Sequence, residues 1–393
     1  MDDPGAAGRL KEAARAPVDR ARGRLVALSH DLHAHPETAY EEERSAARVA
    51  GALADGGFDV ETGAAGLPTA FVARAGTGPL TIGICAEYDA LPGIGHACGH
   101  NIIAAAAVGA GLALARVADE AGIQVVVLGT PAEEGGGGKV VMLEQGLFDG
   151  IHAAMMVHPW PTEWLFASCL AVSHFDVHFT GRPAHASAAP WEGINAGDAM
   201  TLSQVAIGLL RQQLVPGDQV HGVVTRGGSA ANVIPDAVSG RFMCRSVSLE
   251  RLQLLEPRVR RCFEAGALAS GARVDYEDLS PVYSHMESDT GLLAAYRANA
   301  ESLGRRFVHD DAGEARPTIS TDMANISLAV PSIHPLMAIE AGGAVNHQPE
   351  FAAACVTASA DAALHDAALT MAWTALDAAT DPPLRERLLA GAS

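Results

Sequence analysis

Short, uniformly apolar runs alternate with helical stretches in the first part of the chain. The runs LTIGICAEY, which ends at Tyr88, and IQVVVLGT, which ends at Thr130, have the composition of buried strands. Between them, the alanine-rich run that starts at Ile102 predicts a helix. Strands that alternate with helices indicate an α/β domain, with a mixed, mostly parallel sheet and helices on its faces. In such sheets, ligands bind at the carboxyl ends of the strands.

The flanking segments extend this pattern in both directions. Helical periodicity runs from Val18 to Leu32, and a second helix follows, with Thr38 as its predicted N-cap and glycines at its end. FDVETG and TAFVARAG predict short strands, and IHAAMMVHPW predicts one strand that ends at His158. From residue 285 the alternation returns, and FAAACVTASADAALHDAALTMAWTALDAA predicts one long final helix that covers the sheet.

Between residues 171 and 284 the pattern changes. VSHFDVHFTG alternates apolar and polar positions, as half-buried antiparallel strands do. Two amphipathic helices and three more strands follow, in the β-α-β-β-α-β order of a ferredoxin-like α+β module. We therefore predict that residues 171–284 form an inserted domain, and that residues 1–170 and 285–393 together form the main domain.

Composition narrows the classes of partner. The chain has 393 residues, of which 27 are basic and 46 are acidic, and its net charge is −19. This balance argues against nucleic acid and anionic membranes as partners. The first residues are polar and charged, and the longest apolar run is too short to span a bilayer, so we expect neither a secretory signal nor a membrane anchor. Six scattered cysteines, in no framework spacing, predict reduced thiols in a cytoplasmic protein.

The stretch ICAEYDALPGIGHACGHN carries the first candidate site. His96, Cys98 and His100 fall within five residues, in the loop that joins a predicted buried strand to the alanine-rich helix. A thiolate and an imidazole two residues apart, with a glycine between them, can both turn toward one divalent ion. The alternative is a free cysteine beside a histidine at a helix cap, and this segment alone does not decide between the two.

A second candidate site, GTPAEEGGGGK, follows the next predicted strand. Glu133 and Glu134 are adjacent and therefore point in different directions, so one carboxylate can bind a metal while the other acts as a general base on a water molecule. The four glycines that follow let the backbone turn close to the site. A phosphate-binding loop is disfavoured, because the glycine spacing is wrong and neither serine nor threonine follows Lys139. A solvated acidic loop is the remaining alternative.

Two further histidines follow predicted strands. His158 ends the strand IHAAMMVHPW, and His347 lies in AGGAVNHQPEF after the strand PSIHPLMAIE. Both are potential metal ligands. His185 and Asn232 lie in loops of the inserted module, and neither would be notable by itself, because polar loop residues are usually solvated.

Taken together, these motifs resemble a known family. From DLHAHPE to NHQPEF, the chain is similar to the co-catalytic metallopeptidases of the aminoacylase and glutamate carboxypeptidase type, peptidase family M-twenty. More narrowly, it resembles the amidohydrolase subfamily in which a cysteine replaces an aspartate at the metal bridge. AEYDALPGIGHACGHN is most similar to the p-aminobenzoyl-glutamate hydrolases and the β-alanyl-lysine dipeptidase-like proteins. Asn101 stands where much of the subfamily has aspartate, which narrows the subgroup.

The resemblance implies a set of metal ligands. Cys98 would bridge two divalent ions as a thiolate. Glu134 and His347 would complete the site of one ion, and His100 and His158 the site of the other. Zinc is the expected metal, and the ligand types leave manganese, cobalt and nickel open.

The resemblance also implies roles beyond the ligands. Glu133 would be the general base. His185 would polarise the scissile carbonyl across a homodimer formed through the inserted domain, and Asn232 would contact the substrate or its oxyanion. Arg245 would bind a substrate carboxylate, a task that suits a guanidinium fork. Glu87 stands at a position where the subfamily usually has aspartate, and it would orient a metal ligand. Asp89 is the residue that the family has at its position.

The implied function is hydrolysis of the amide bond of an N-acyl amino acid or a dipeptide-like small molecule, by a hydroxide held between two metal ions. Two alternatives remain at this point. One is an enzyme of another bond class, such as a deaminase or a carbamoyl hydrolase, built on the same metal pair. The other is a non-catalytic ligand-binding relative.

Overall fold

The computed structural model describes residues 5–391. Within them, the chain divides into two compact units. The first contains the residues up to Ser168 and those from Met286 onward, and the second is Cys169–His285. The inserted domain predicted at 171–284 lies within the second unit.

A six-stranded sheet forms the centre of the first unit. Its strands, in spatial order, are Asp59–Thr62, Phe71–Ala75, Ile123–Gly129, Leu80–Ala86, Ala153–Met155 and Ser332–Ile333. The first two pairings are antiparallel, and the remaining three are parallel. The predicted mixed, mostly parallel sheet is therefore confirmed, and its parallel strands read as apolar runs because helices cover both faces.

The His100–Ala115 helix is buried along almost its whole length. It packs against the sheet and between the Ala6–Ala34 and Ala358–Thr380 helices. Small side chains permit this close packing: a Cβ atom on Gly109 would lie 2.8 Å from Cβ of Ala368. A helix that is apolar on all sides is one buried in a core, which explains the uniform alanine-rich run.

The other elements of the first unit surround this core. Its further helices are Glu43–Asp55, Ala118–Ala121, Gly138–Glu144, Thr290–Ser302, Val308–Asp311, Met323–Ser327, Pro349–Ala354 and Pro382–Gly391, with a short 3-10 turn at Ala64–Gly66. Its shorter strands are His158–Trp160, which pairs in parallel with Leu336–Ala338, and Thr318–Ile319; the strand Ser168–Cys169 spans the boundary of the units. In the described part of the chain, no helix is both long enough and apolar enough to cross a bilayer.

The second unit is an antiparallel sheet with two helices. Its elements in chain order are the strand Ala171–Thr180, the helix Ala196–Leu210, the strands Gln219–Arg226 and Ala237–Ser246, the helix Leu249–Ser270 and the strand Arg273–Asp278. Short 3-10 turns lie at Pro190–Glu192 and Arg211–Gln213. In space the fourth strand is followed by the first, third and second, all antiparallel. This confirms the predicted ferredoxin-like order.

Three predicted elements are wrong in their extent. The run at 151–160 forms two strands rather than one, because its partner segment contains Pro335, which offers no N–H group, and the chain leaves the six-stranded sheet after Met155. His158 therefore begins a strand instead of ending one. The final helix is interrupted after Ala354 and restarts where the Thr357 side chain accepts the N–H of Ala360.

The second helix also begins later than predicted, at Glu43. Thr38 is not its cap, because the Thr38 hydroxyl donates to the Glu41 carboxylate instead. The Glu37 carboxylate takes the capping role and accepts the N–H groups of Arg44 at 3.0 Å and Ser45 at 2.7 Å. The glutamate side chain is longer than that of threonine and can thus cap a helix from several residues upstream.

Candidate metal centre

The cysteine–histidine loop leaves the carboxyl end of the Leu80–Ala86 strand and leads into the His100–Ala115 helix. Gly99 lies between the two candidate ligands with φ of +79°, and a Cβ atom there would lie 2.3 Å from Cγ of Pro159. Both constraints select glycine. This turn places the side chains of Cys98 and His100 in one cluster.

Cys98 belongs to two groups of potential ligand atoms. In the first, its sulfur and one nitrogen each of His100 and His158 all lie within 4.8 Å of one another. In the second, the same holds for Cys98, Glu134 and His347. Cys98 Sγ lies 3.6 Å from Nε2 of His158 and 3.5 Å from Nε2 of His347. One sulfur is thus shared by two three-residue groups.

Hydrogen bonds orient two of the histidines. Nδ1 of His100 lies 2.9 Å from Oδ1 of Asp89, and Nδ1 of His158 lies 2.7 Å from the carbonyl oxygen of Pro159. In each case an acceptor holds a proton on Nδ1, so Nε2 is the nitrogen directed into the cluster. Carboxylate and carbonyl partners of this kind fix the ring orientation of metal-binding histidines.

The donor set fits divalent ions. Nε2 of His100 and Oε1 of Glu134 are both buried and have no hydrogen-bond partner in the protein. Burial lowers the pKa of His158 to about 3, so this imidazole stays neutral, as a ligand must. Burial, together with the Glu134 carboxylate, raises the pKa of the Cys98 thiol well above its usual range, so a bound cation is needed to hold the thiolate. Thiolate, imidazole and carboxylate ligands together suit zinc and its neighbours in the transition series.

The glutamate pair lies on a tight turn after the Ile123–Gly129 strand. The N–H of Glu134 donates to Oδ2 of Asp89 at 2.9 Å, and its carboxylate oxygen lies 3.5 Å from Nε2 of His347. Glu133 is almost completely buried and has oxygen atoms near those of Glu134. Burial and the neighbouring carboxylate raise the pKa of Glu133 well above its ordinary value. A carboxylate with raised pKa is suited to accept a proton near neutral pH.

A buried lysine follows the glycines. Lys139 has no exposed surface, and its ammonium group donates to the carboxylates of Glu87 and Asp322. Its main-chain N–H also donates to Asp322 at 2.9 Å. Glu87 was expected to orient a ligand; its first partner is Lys139, while its second oxygen lies 3.5 Å from Nε2 of His100. Asp89 instead makes the hydrogen bond to the His100 ring.

Sequence reasoning missed several residues around this centre. It considered Lys139 only as part of a disfavoured phosphate-binding loop and assigned no role at this centre to Asp322 or Glu42. The sequence held one usable signal for Lys139, which is its rarity: the chain has only two lysines, and the other is Lys11. His334 was also missed; it is buried, and its ring centre lies 5.5 Å from that of His158.

His185 and Asn232 lie in paired loops of the second unit. The N–H of Ala186 donates to the carbonyl of Asn232 at 2.9 Å. Nδ1 of His185 accepts the N–H groups of Ser187 at 3.3 Å and Ala188 at 3.2 Å. Because two donors point at Nδ1, the ring proton is held on Nε2. This tautomer makes Nε2 a hydrogen-bond donor.

Arg245 lies elsewhere in the second unit. It pairs with Val172 at one end of the Ala171–Thr180 strand, whereas the His185 loop follows the other end. At ~3.3 Å per residue, the strand alone separates the two ends by roughly 25 Å. The structure therefore does not bring Arg245 together with His185 and Asn232.

Residues 83–367 match the model of Peptidase family M20/M25/M40. The chain belongs to this family. Among M20-type relatives, the Xaa-Arg dipeptidase of Mus musculus is 38% identical over 396 residues, covering 96% of this chain and 90% of the relative. A p-aminobenzoyl-glutamate hydrolase polypeptide of Escherichia coli (strain K12) is 31% identical over 302 residues, covering 72% of this chain and 63% of that protein.

Solved structures share the fold of this M20-family chain. A dinuclear metal-binding peptidase of Bacillus subtilis matches with a TM-score of 0.67 and 23% identity, covering 91% of this chain and 98% of that one. The aminobenzoyl-glutamate utilization protein of Klebsiella pneumoniae matches with a TM-score of 0.70 and 19% identity, covering 92% and 97%. The M20 family and the curated relatives identify the chain as a metal-dependent hydrolase of amide bonds.

Proposed function

We propose that this M20-family hydrolase cleaves the amide bond of a dipeptide at a centre of two divalent ions bridged by Cys98. The observation that carries the proposal is the shared sulfur: Cys98 belongs to both groups of ligand atoms, one completed by His100 and His158, the other by Glu134 and His347. Two ions held by one thiolate would lie close enough to act on one bond. Zinc is the proposed metal, because it favours sulfur and nitrogen ligands.

When bound, the two ions supply Lewis acidity that acidifies a water molecule and polarises the amide carbonyl. The residues of the chain do the rest. Asp89 and the Pro159 carbonyl fix the tautomers of His100 and His158, so that a lone pair of each ring points inward. The side chain of Glu134 is 10% exposed, whereas that of His347 is 57% exposed, so the cluster is open to solvent on the His347 side.

Glu133 is proposed as the general base. It lies next to the ligand Glu134, and one of its oxygen atoms lies within 4.8 Å of potential ligand atoms of His100 and Glu134, which places it to take a proton from the attacking water. The protonated acid can then pass that proton to the amine that leaves. A general base of this kind typically contributes ~10²- to 10⁴-fold to turnover.

His185 is proposed to donate a hydrogen bond to the substrate carbonyl. Its support is the Nε2–H tautomer, which is fixed by the N–H groups of Ser187 and Ala188. Asn232, in the loop paired with His185, is proposed as a second substrate contact. A His185→Ala enzyme should lose ~10²- to 10³-fold in kcat with its metal content unchanged. His178→Ala, at a partly exposed histidine of the same unit, is the control.

We propose that the enzyme works as a homodimer through the second unit. The Gln219–Arg226 strand lies at an edge of its sheet, with Val223 59% exposed. The Ala196–Leu210 helix of the same unit exposes Val205 and Leu209. Exposed apolar side chains on an edge strand and on a helix favour association with a second copy of the chain. Sedimentation of the chain at micromolar concentration tests this proposal. A monomer at all concentrations would contradict it.

For the substrate, we propose a dipeptide with a cationic C-terminal residue. The support is the Xaa-Arg dipeptidase of Mus musculus, which aligns over 96% of this chain. The second candidate is p-aminobenzoyl-glutamate, since the Escherichia coli hydrolase of that compound aligns over 72% of the chain. The two candidates release amino acids of opposite charge, so a single assay separates them. No contact with nucleic acid or membrane is proposed, in line with the net charge of −19.

We also propose a cytoplasmic location, because all six cysteines are free thiols in the structure.

The substrate proposal is tested by assaying the metal-loaded enzyme on dipeptides that keep one N-terminal residue and vary the C-terminal residue among arginine, lysine, leucine and glutamate. We expect the highest kcat/KM for arginine or lysine. Preference for glutamate would favour the second candidate, and hydrolysis of no amide would contradict the proposed function.

A further inference from the structure

The turn that carries Glu133 and Glu134 is held from outside by acidic side chains. Each accepts one main-chain N–H group, and each donor–acceptor distance is 2.9 Å. The pairs are Ala132 to Glu42, Glu134 to Asp89 and Lys139 to Asp322. Asp89 and Asp322 have a second task, because they also bond to the His100 ring and the Lys139 ammonium group. Glu42 bonds to neither the His100 ring nor the Lys139 ammonium group, so the burial of its carboxyl group needs a separate explanation.

Glu42 is completely buried, although a carboxylate is costly to remove from water. Among the described residues, no arginine, lysine or histidine forms an ion pair with it. Its Oε1 atom accepts the N–H of Ala132, the residue directly before Glu133. The Thr69 hydroxyl and the main-chain N–H of Glu42 also contact this carboxyl group, but the bond to Ala132 is the one that ties it to the glutamate turn.

Ala132 has an unusual backbone conformation. Its φ is +59°, in the left-handed region that disfavours residues with a Cβ atom. Its carbonyl oxygen accepts the N–H groups of Gly136 at 2.9 Å and Gly137 at 2.8 Å, which closes the turn around the two glutamates. An alanine holds such a conformation only where its surroundings fix it. The bond to Glu42 is one such constraint.

Tyr40 contacts the same turn from the segment that carries Glu42. Its hydroxyl donates to the carbonyl of Gly136 at 2.7 Å, and a Cβ atom on Gly136 would lie 2.4 Å from the tyrosine ring. At the start of this segment, the carbonyl of Glu37 accepts the N–H of Ala90 at 2.8 Å. The Glu37–Glu42 segment therefore touches the glutamate turn and the residue that follows Asp89.

We propose that the Glu37–Glu42 segment, through Glu42 and Tyr40, positions the turn that aims Glu133 and Glu134. Adjacent side chains diverge according to the backbone between them, so a change at Ala132 redirects both carboxylates. Glu42 belongs to none of the groups of potential metal ligands among the described residues, so its proposed role is that of a positioning residue. The inference rests on the proposed function, because it assigns the base and one metal ligand to this turn.

The first experiment compares Glu42→Leu with Glu42→Gln. Glutamine keeps an oxygen that can accept the Ala132 N–H, and leucine has a similar size without one. We expect Glu42→Leu to lower kcat by ~10- to 100-fold, with KM changed less than ~3-fold, and to weaken the binding of one zinc ion by ~10-fold or more. Glu42→Gln should stay within ~5-fold of wild type in both measurements, on the same physical ground. Zinc affinity is measured by competition with a chromophoric chelator.

The second experiment repeats Glu42→Leu in an Ala132→Gly background. Glycine adopts the left-handed conformation without strain, so the turn then depends less on its outside support. We expect the loss of kcat caused by Glu42→Leu to be ~3-fold or more smaller in the glycine background. A purely structural role of Glu42 elsewhere in the fold would give equal losses in both backgrounds, and this result would overturn the proposal.

Tyr40→Phe keeps the proposal testable if Glu42→Leu fails to fold. Tyr40 is 39% exposed and therefore tolerates the change, which removes only the bond to Gly136. We expect kcat to fall by ~3- to 10-fold at a similar KM. A wild-type kcat in this variant would contradict the proposed positioning role of the Glu37–Glu42 segment.

Wild-type enzyme assayed in parallel separates this inference from the proposed function. If the wild type binds zinc but hydrolyses no dipeptide, the proposed function fails, and the zinc affinities of the variants still test the segment. If the wild type is active and Glu42→Leu matches it in kcat and zinc affinity, the inference fails and the proposed function stands.

Discussion

The Asp89 carboxylate accepts a hydrogen bond from the imidazole of His100, with Oδ1 2.9 Å from Nδ1. Its other oxygen accepts the N–H of Glu134 at the same distance. One buried side chain thus joins the cysteine–histidine loop to the glutamate turn. Each of its two oxygens serves one group of potential metal ligands.

Asp89→Asn tests this link. An amide has one acceptor oxygen, so it can serve the His100 ring or the Glu134 peptide but not both in the present geometry. We expect zinc affinity to fall by ~10- to 100-fold, the usual range for a partner that orients a metal-binding histidine. Chelator competition on folded protein measures the loss. Unchanged affinity would mean that Asp89 does not orient the ligands.

Glu133→Gln tests the general base. Glutamine keeps the size and the hydrogen-bonding oxygen but cannot take a proton. We expect kcat to fall by ~10²- to 10⁴-fold, while the protein still binds two ions per chain. Glu350→Gln, in the first turn of the Pro349–Ala354 helix, is the control. A Glu133→Gln enzyme with full turnover would refute the assignment.

Lys139→Met tests the buried ammonium group. Methionine keeps most of the apolar stem but leaves Glu87 and Asp322 buried without a counter-ion. We expect a loss of ~3–5 kcal/mol in the free energy of unfolding, as for other broken buried ion pairs. Lys11→Met is the matched control, because Lys11 pairs with Asp377 at a partly exposed site and should cost less than ~1 kcal/mol. Chemical unfolding of chelated protein compares the two, and equal losses would contradict the prediction.

The pair Asp289 and Arg387 predicts a pH dependence of stability. Asp289 accepts two hydrogen bonds from Arg387, at 2.7 and 2.8 Å. Although burial opposes ionisation, the bonds to Arg387 and to the start of the next helix leave the pKa of Asp289 below its ordinary value of 3.8. An acid with a depressed pKa in the folded state stabilises the fold above its unfolded pKa. This stabilisation is lost as the pH falls through the folded value.

Asp289→Asn keeps a capping oxygen but removes the charge. We expect it to lower the free energy of unfolding by ~0.5–1 kcal/mol at neutral pH, given that Arg387 is partly exposed. The difference between variant and wild type should shrink once the pH falls below about 4. Unfolding of chelated protein at several pH values measures it. A difference that grows in acid would contradict the sign.

The ferredoxin-like unit could be predicted because its pattern is local. In Ala171–Thr180 the inward positions Phe175, Val177 and Phe179 alternate with more exposed residues, and this two-residue period is visible in the sequence. The buried parallel strands of the first unit were equally legible as apolar runs. Local patterns of this kind decide the type of an element, and the order of the elements then limits the topology.

The side chains that support the candidate metal centre could not be predicted in this way. Lys139 meets Asp322 across 183 positions of the chain, and Glu42 meets Ala132 across 90. No local pattern encodes such pairs, because they depend on how the sheet edge brings distant loops together.

The predicted boundaries of helices and strands were wrong where a single side chain decides where the element begins or ends. The helix that was expected to start near Thr38 starts at Glu43, because Glu37 reaches its N–H groups. The strand that was expected to end at His158 breaks before it. For Arg245, position along the strand mattered more than residue type, since it places the guanidinium at the far end from the His185 loop.

Metal dependence is the property to measure first. The protein is stripped with a chelator, titrated with zinc and assayed for the release of arginine from an Xaa-Arg dipeptide, with Cys98→Ala treated in parallel. We expect no hydrolysis by the stripped wild type, hydrolysis that rises with zinc and reaches its maximum at two ions per chain, and none at any zinc level for Cys98→Ala. Amide hydrolysis that survives complete removal of metal, or that Cys98→Ala retains in full, would contradict a metal centre bridged by Cys98.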